Sequence, residues 1–186
     1  MAEVQAVKEL DTVRLISHLL ERRCSKQMSH IWNIGINLAL RISDLLSVKF
    51  SDINNGRLIL KEGKTGKRAE IKLNAKTMIL INDIQLSHPN HIFLFQSYRN
   101  NKSLYVPPKP LTRRAVSQAF ELIGEELNIR LGTHSMRKTR GYHLYKKTKD
   151  ITRVMKMLRH SSEGVTLRYI GLTQDVIDRD FVELEL

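Results

Sequence analysis

The sequence predicts a mainly α-helical fold with one small antiparallel β-sheet, an α+β domain. Apolar residues recur at three- and four-residue intervals along most of the chain, as one buried helix face requires. Only between Arg57 and Leu73 does the period drop to two. Asp, Asn and Thr stand at the heads of the helical stretches, where their side chains can accept orphaned backbone N–H groups.

Taken in chain order, Asp11 heads a helix of about three turns with Val13, Ile16, Leu19 and Leu20 on one face. Ile31, Trp32, Gly35, Leu38 and Ala39 mark a second helix. A short helical turn restarts at Ser43, whose hydroxyl can cap it, and Arg41 falls in the break. The run RLILK, EGKTGK, RAEIKLN reads as a two-stranded hairpin with Gly63, Lys64, Thr65 and Gly66 at its tip. Asn74 caps a helix through Met78, Ile81 and Leu86, and HIFLF at 91–95 reads as a short buried segment. Three prolines between Gln96 and Pro110 make that stretch a loop. Thr112 opens a helix with Val116, Ala119, Phe120, Ile123 and Leu127 inward; another begins near Thr133 or His134, and Asp150 caps an amphipathic one with Val154 and Leu158.

At 186 residues, 41% hydrophobic and 27% charged, the chain can bury its own core. Its 31 Lys and Arg against 19 Asp and Glu give a net charge of +12, which predicts a polyanionic partner, nucleic acid first. Charge is polarised. Arg130 to Arg168 holds eleven basic residues against two acidic ones, a net of +9, whereas Gln174 to Leu186 carries −4. The absence of a long apolar run argues against a membrane partner, and the N-terminus lacks a signal pattern, so a cytoplasmic protein is expected. Cys24 is the one cysteine, which excludes an intrachain disulfide and a multi-cysteine zinc site.

Five segments offer polar residues that a helical scaffold does not need. Arg41 ends an apolar helix, where a guanidinium requires a partner; Asp44 and Asp52 are the structural candidates. Lys64 sits on a glycine-flanked tip, either as an exposed turn lysine or as an ammonium carried into a neighbouring groove. His134 and Arg137 share a helix face near its start, a natural anion site. His160 follows an apolar stripe, and Tyr169 comes nine residues later. Each of these last two alone reads as a capping or packing side chain.

In this order, Arg41 with Ser43 and Asp44, the lysine in GKTGK, the box THSMR, the box LRHSS and the following tyrosine resemble the tyrosine recombinase (phage integrase) family over residues 5 to 173. The stretch GYHLYKKTKD to HSSEGVTLRYIG is similar to small integrase-type recombinases of bacteria, phages and mobile elements. The resemblance implies the catalytic-domain fold of DNA breaking–rejoining enzymes for residues 1–173, an acidic tail at 174–186 that docks in trans, and no N-terminal core-binding domain, as in the fimbrial phase-switch recombinases or in a fragment of a longer protein. It implies Tyr169 as nucleophile forming a 3′-phosphotyrosine, Arg41 and Arg137 as phosphate-binding cations, Lys64 as general acid, His134 as proton-transfer partner of Tyr169, and His160 as donor to a phosphate oxygen. Lys67, Arg68, Lys138, Arg140 and Arg159 are further candidate DNA contacts. Neither metal, ATP nor other cofactor is expected. The expected partners are double-stranded DNA with paired recombination sites and further copies of the chain, a tetramer on DNA and a monomer when free. With the tail undocked and DNA absent, Tyr169 is expected to be displaced.

The match departs from the family where Lys138 stands in place of a common histidine and Arg140 in place of an apolar residue. Competing readings are a type IB topoisomerase or telomere resolvase, a catalytically inactive DNA-binding regulator on the same fold, and a basic scaffold for RNA or acidic proteins.

Overall fold

The computed structural model describes residues 4–98, 107–172 and 174–185. The elements run α1 (Leu10–Arg23), α2 (Lys26–Leu38), α3 (Ile42–Ser47), β1 (Ile53–Asn54), β2 (Arg57–Lys61), β3 (Arg68–Lys72), α4 (Ala75–Ser87), α5 (Arg113–Glu126), α6 (Ser135–Thr148), α7 (Ile151–Leu158), α8 (Glu163–Ile170) and α9 (Gln174–Glu183). This is the helical fold with a small antiparallel sheet that the periodicity predicts.

Local capping chemistry places several of these starts. Asn74, Thr112 and Asp150 each accept a backbone N–H three residues on, as expected. Two other caps differ from expectation. Helix α1 begins before Asp11, with Glu9 at the cap position and Asp11 turned to Arg14 at 2.9 Å. Helix α3 begins at Ile42, so Arg41 occupies the cap position and the Ser43 hydroxyl makes no cap. Ser25 and Ser162 cap α2 and α8, two caps that the apolar pattern does not single out.

The sheet has three strands, ordered β1-β2-β3, instead of two. The extra strand is only two residues long, and its signal was the turn after it: Asn55 and Gly56 both adopt positive φ, the geometry of an Asn-Gly hairpin turn. Across β2 and β3, Leu58 faces Ile71 and Leu60 faces Ala69. The segment at 91–95 is buried at Leu94 and Phe95, and Phe93 bridges Lys49. Residues 99–106 of the expected proline-rich loop lie outside the described residues. The acidic tail is a helix, α9, with Phe181, Val182 and Leu184 exposed.

Two apolar clusters organise the molecule. The larger joins α1, α2, the sheet, α4 and α5 around Trp32, whose ring meets Phe120 edge-on at 5.5 Å and whose indole N–H donates to the Val13 carbonyl. The smaller one, Ala39, Val154, Leu158 and Ile170, holds α7 and α8 on α6. The clusters meet where α2 crosses α6. Gly35 allows that approach, because a Cβ there would collide with the Met136 sulfur.

Candidate active site

Arg137, next to Met136 on α6, is buried at the junction of the two clusters. Its Nη1 donates to the Ala39 carbonyl at 2.7 Å and its Nη2 donates to the Leu158 carbonyl. These oxygens end α2 and α7, where unsatisfied carbonyls and helix dipoles concentrate partial negative charge. Both ends turn on left-handed caps, Ala39 at φ 50° and Arg159 at φ 53°. A guanidinium carries five N–H donors, so three remain for a ligand. Burial, together with the nearby charges of Arg41 and Arg159, brings Arg137 down to about 10, and the neighbouring Tyr169 and Glu62 act in the opposite sense. It stays charged at neutral pH.

Arg41 pairs with neither Asp44 nor Asp52. Its Nη1 lies 3.2 Å from Oε1 of Glu62, a carboxylate with no side-chain exposure. Asp44 instead accepts the Gly63 backbone N–H at 2.9 Å, tying α3 to the hairpin tip. Arg159 donates from Nε to the same Oε1 of Glu62 at 2.7 Å. Burial alone raises the Glu62 carboxyl, but hydrogen bonds from Thr65 and Arg159 and the charges of Arg159 and Arg41 hold it below the usual carboxylate range.

Tyr169, near the end of α8, is not displaced. Its hydroxyl is 3.0 Å from Nδ1 of His134, and its ring packs edge-on against His134 and His160. The Lys138 ammonium lies 5.1 Å from the centre of that ring. His134 is pushed below its ordinary range by burial first and then by Arg113, Arg137, Lys138 and Arg41, so the imidazole is neutral at pH 7. A neutral ring whose Nδ1 faces a phenol can accept the phenolic proton.

His160 follows the Arg159 cap, and its Nδ1 is 3.1 Å from the Thr166 hydroxyl. That hydroxyl donates to the Ser162 carbonyl at 3.0 Å, so it receives its other bond from His160 Nδ1–H. Burial, with Arg137 and Arg41 nearby, lowers His160 to about 4. The neutral ring therefore presents a bare Nε2, and donation to a phosphate from that atom requires a second proton.

The structure thus brings Arg41, Arg137, His134, His160 and Tyr169 into one cluster. Lys64 is exposed at the hairpin tip, in the turn whose Glu62 pairs with Arg41 and Arg159. Among the other basic candidates, Lys67 and Arg68 are exposed on the hairpin. Lys138 is buried against Tyr169, and Arg159 is committed to Glu62. Arg140 is half-buried, and burial lowers its guanidinium below the ordinary range. Sequence reasoning missed Glu62, Thr166 and Arg113. Glu62 was visible only as an acid in a basic hairpin, Thr166 as a hydroxyl six residues after His160, and Arg113 as the residue after a cap.

Residues 7–175 match the model of the phage integrase family. A probable integrase/recombinase of Bacillus subtilis, YoeC, is 33% identical over 177 residues, covering 92% of this chain and 92% of its own. The tyrosine recombinase XerA of Pyrococcus horikoshii is 25% identical over 72% of this chain, a match spanning 46% of that protein. The fold is similar to the crystal structure of a XerA recombinase, with TM-score 0.73 at 15% identity over 100% of this chain and 68% of the other. It is also similar to a lambda integrase dimer bound to a core site, with TM-score 0.68 at 18% identity over 91% and 60%. On the family model and on a relative matched nearly end to end, the chain belongs to the phage integrase family, the tyrosine recombinases that cut and rejoin DNA at specific sites.

Proposed function

We propose that Tyr169 cleaves one DNA strand by attacking the scissile phosphate, forming a 3′-phosphotyrosyl bond as the bond to the 5′ oxygen breaks. The observation that carries this is the Tyr169 hydroxyl held 3.0 Å from a neutral His134 nitrogen beside the buried guanidinium of Arg137. His134 takes the phenolic proton. Arg41 and Arg137 hold the non-bridging oxygens, whose charge grows in the transition state. His160, once protonated, donates to one of them. Lys64 swings in from the hairpin tip and gives its proton to the departing 5′ oxygen, a poor leaving group otherwise. A phenol with pKa near 10 is itself a fair leaving group, so a 5′ hydroxyl can reverse the step and reseal DNA. All of this charge and proton handling is assigned to side chains, and neither a metal nor ATP enters it.

The substrate of this reading is duplex DNA carrying paired recombination sites, acted on in the cytoplasm. Support comes from the basic helices α6 to α8 and from relatives whose names record integration and recombination. Lys67, Arg68 and Arg140 are assigned to the backbone, and Arg113 joins them because its charge reaches His134. Residues 1–173 act as the catalytic unit. Segment 174–186 acts as a docking arm for a neighbouring copy, a role that suits the exposed Phe181, Val182 and Leu184, with a free monomer assembling into a tetramer on DNA.

The test is covalent capture on a nicked suicide duplex. Wild-type protein should form a denaturant-resistant adduct, whereas Tyr169→Phe should form none while retaining DNA binding. An adduct with Tyr169→Phe would refute the assignment.

A further inference from the structure

Beyond the residues just assigned, Glu62 joins the hairpin to the phosphate-binding wall. One of its oxygens faces the hairpin: Oε2 accepts the Thr65 hydroxyl at 2.8 Å. Its backbone closes the same turn, with Glu62 N–H donating to the Lys67 carbonyl and Gly66 N–H donating to the Glu62 carbonyl, each at 2.9 Å. Lys64 lies inside this closed turn. The other oxygen, Oε1, receives Arg159 from the end of α7 at 2.7 Å and lies 3.2 Å from Arg41 in the α2–α3 break.

Two features make this junction more than charge neutralisation. Arg159 reaches Glu62 from a left-handed backbone, φ 53°, that disfavours any side chain and would suit glycine. Its Nη2 is buried without a hydrogen-bond partner, an arrangement costly for a scaffold but suited to a group that meets an anion, while the Nη1 of Arg41 is held by the Glu62 carboxylate in an ion pair that falls short of a hydrogen bond.

We infer that Glu62, anchored by Arg159, is a positioning residue that sets the register of the Lys64 turn against Arg41, so that the ammonium meets the 5′ oxygen of the phosphate held by the arginines. Glu62 touches no substrate atom. It acts through Lys64, and the inference rests on the reading of Lys64 as general acid. Thr65 and Gly63 complete the tether, the second through Asp44.

The experiment compares single-turnover cleavage of a nicked duplex carrying the ordinary scissile phosphodiester with one carrying sulfur in place of the bridging 5′ oxygen. A thiolate leaves without being protonated, so only defects in acid catalysis are relieved. Glu62→Gln should slow cleavage of the phosphodiester by roughly tenfold or more and cleave the sulfur substrate at close to the wild-type rate, as Lys64→Ala should. Arg41→Lys should remain slow on both. Should Glu62→Gln fold poorly, Arg159→Gly, which relieves the backbone and removes the anchor, should show the same sulfur-relieved defect. If Lys64→Ala is relieved by sulfur but Glu62→Gln and Arg159→Gly are not, or if these two show no defect, the positioning role is overturned and the general acid stands. If Lys64→Ala is not relieved, both fall.

Discussion

His160 illustrates how a single hydroxyl sets the chemistry of a residue. The Thr166 hydroxyl donates a hydrogen bond to the Ser162 carbonyl and accepts one from His160 Nδ1–H, leaving Nε2 bare, while burial and nearby arginines lower the ring to about 4. A phosphate placed against Nε2 stabilises the imidazolium, so DNA binding near pH 6 should draw a proton from solvent. Calorimetry in buffers of different ionisation enthalpy should record that uptake, and His160→Gln should reduce it. The same depression has a consequence for stability. An unfolded histidine takes its proton near pH 6.5 and the folded one near 4, so the unfolded chain binds more protons between these values. Stability should therefore fall as pH drops from about 6.5 to about 4, and a melting series for His160→Gln should be flatter than wild type across that window.

At the scale of elements, the site depends on two helix ends meeting one side chain. Arg137 ties the carboxyl ends of α2 and α7, and its own place on α6 depends on the close crossing at Gly35. Gly35→Ala should displace the Met136 thioether and cost about 1–3 kcal/mol, read by denaturant unfolding, with a loss of covalent capture larger than the stability change explains. Arg137→Ala removes two hydrogen bonds from a charged donor and should cost about 2 kcal/mol or more, together with activity. An unfolding midpoint equal to wild type in either variant would contradict this account of the crossing. Asp150, which caps α7 through the Arg153 N–H, should behave differently. Its replacement by Ala should cost about 1 kcal/mol while leaving the Arg137 contacts in place.

For the whole molecule the dominant quantity is the uneven charge. The basic stretch forms α6 to α8 around the site, and the acidic segment forms α9. DNA affinity should therefore fall steeply with salt, with log K linear in log salt concentration, as counterions displaced by Lys and Arg return to the duplex. Removing residues 174–186 takes a net charge of −4 from a chain of net charge +12. The truncated protein should bind non-specific duplex more tightly at low salt by fluorescence anisotropy, while losing self-association on paired sites by sedimentation. Unchanged affinity would mean that the acidic helix does not compete for the DNA face.

Helix starts at Asn74, Thr112 and Asp150, the hairpin of Arg57 to Leu73 and the basic block were legible in the chain, because periodicity and capping act over three or four residues, whereas α8 and α9 were not singled out. The ordered set from Arg41 to Tyr169 was legible for another reason, its resemblance to a family, and the match over residues 7–175 shows that membership. Long-range pairing was not legible. Arg41 had two acidic neighbours within eleven residues and chose neither, because the left-handed turn at Ala39 aims it at the hairpin, where Glu62 is already buried. Nor could the chain show that α7 ends with Arg159 beside that same carboxylate, or that α8 lays Tyr169 against Lys138, two residues read as candidate DNA contacts. Local chemistry thus determined which elements form and which residues could react. Only the packing of α2, α6, α7 and α8 decided which charges share a partner, because a buried ion's choice is set by the nearest countercharge in space and not by distance along the chain.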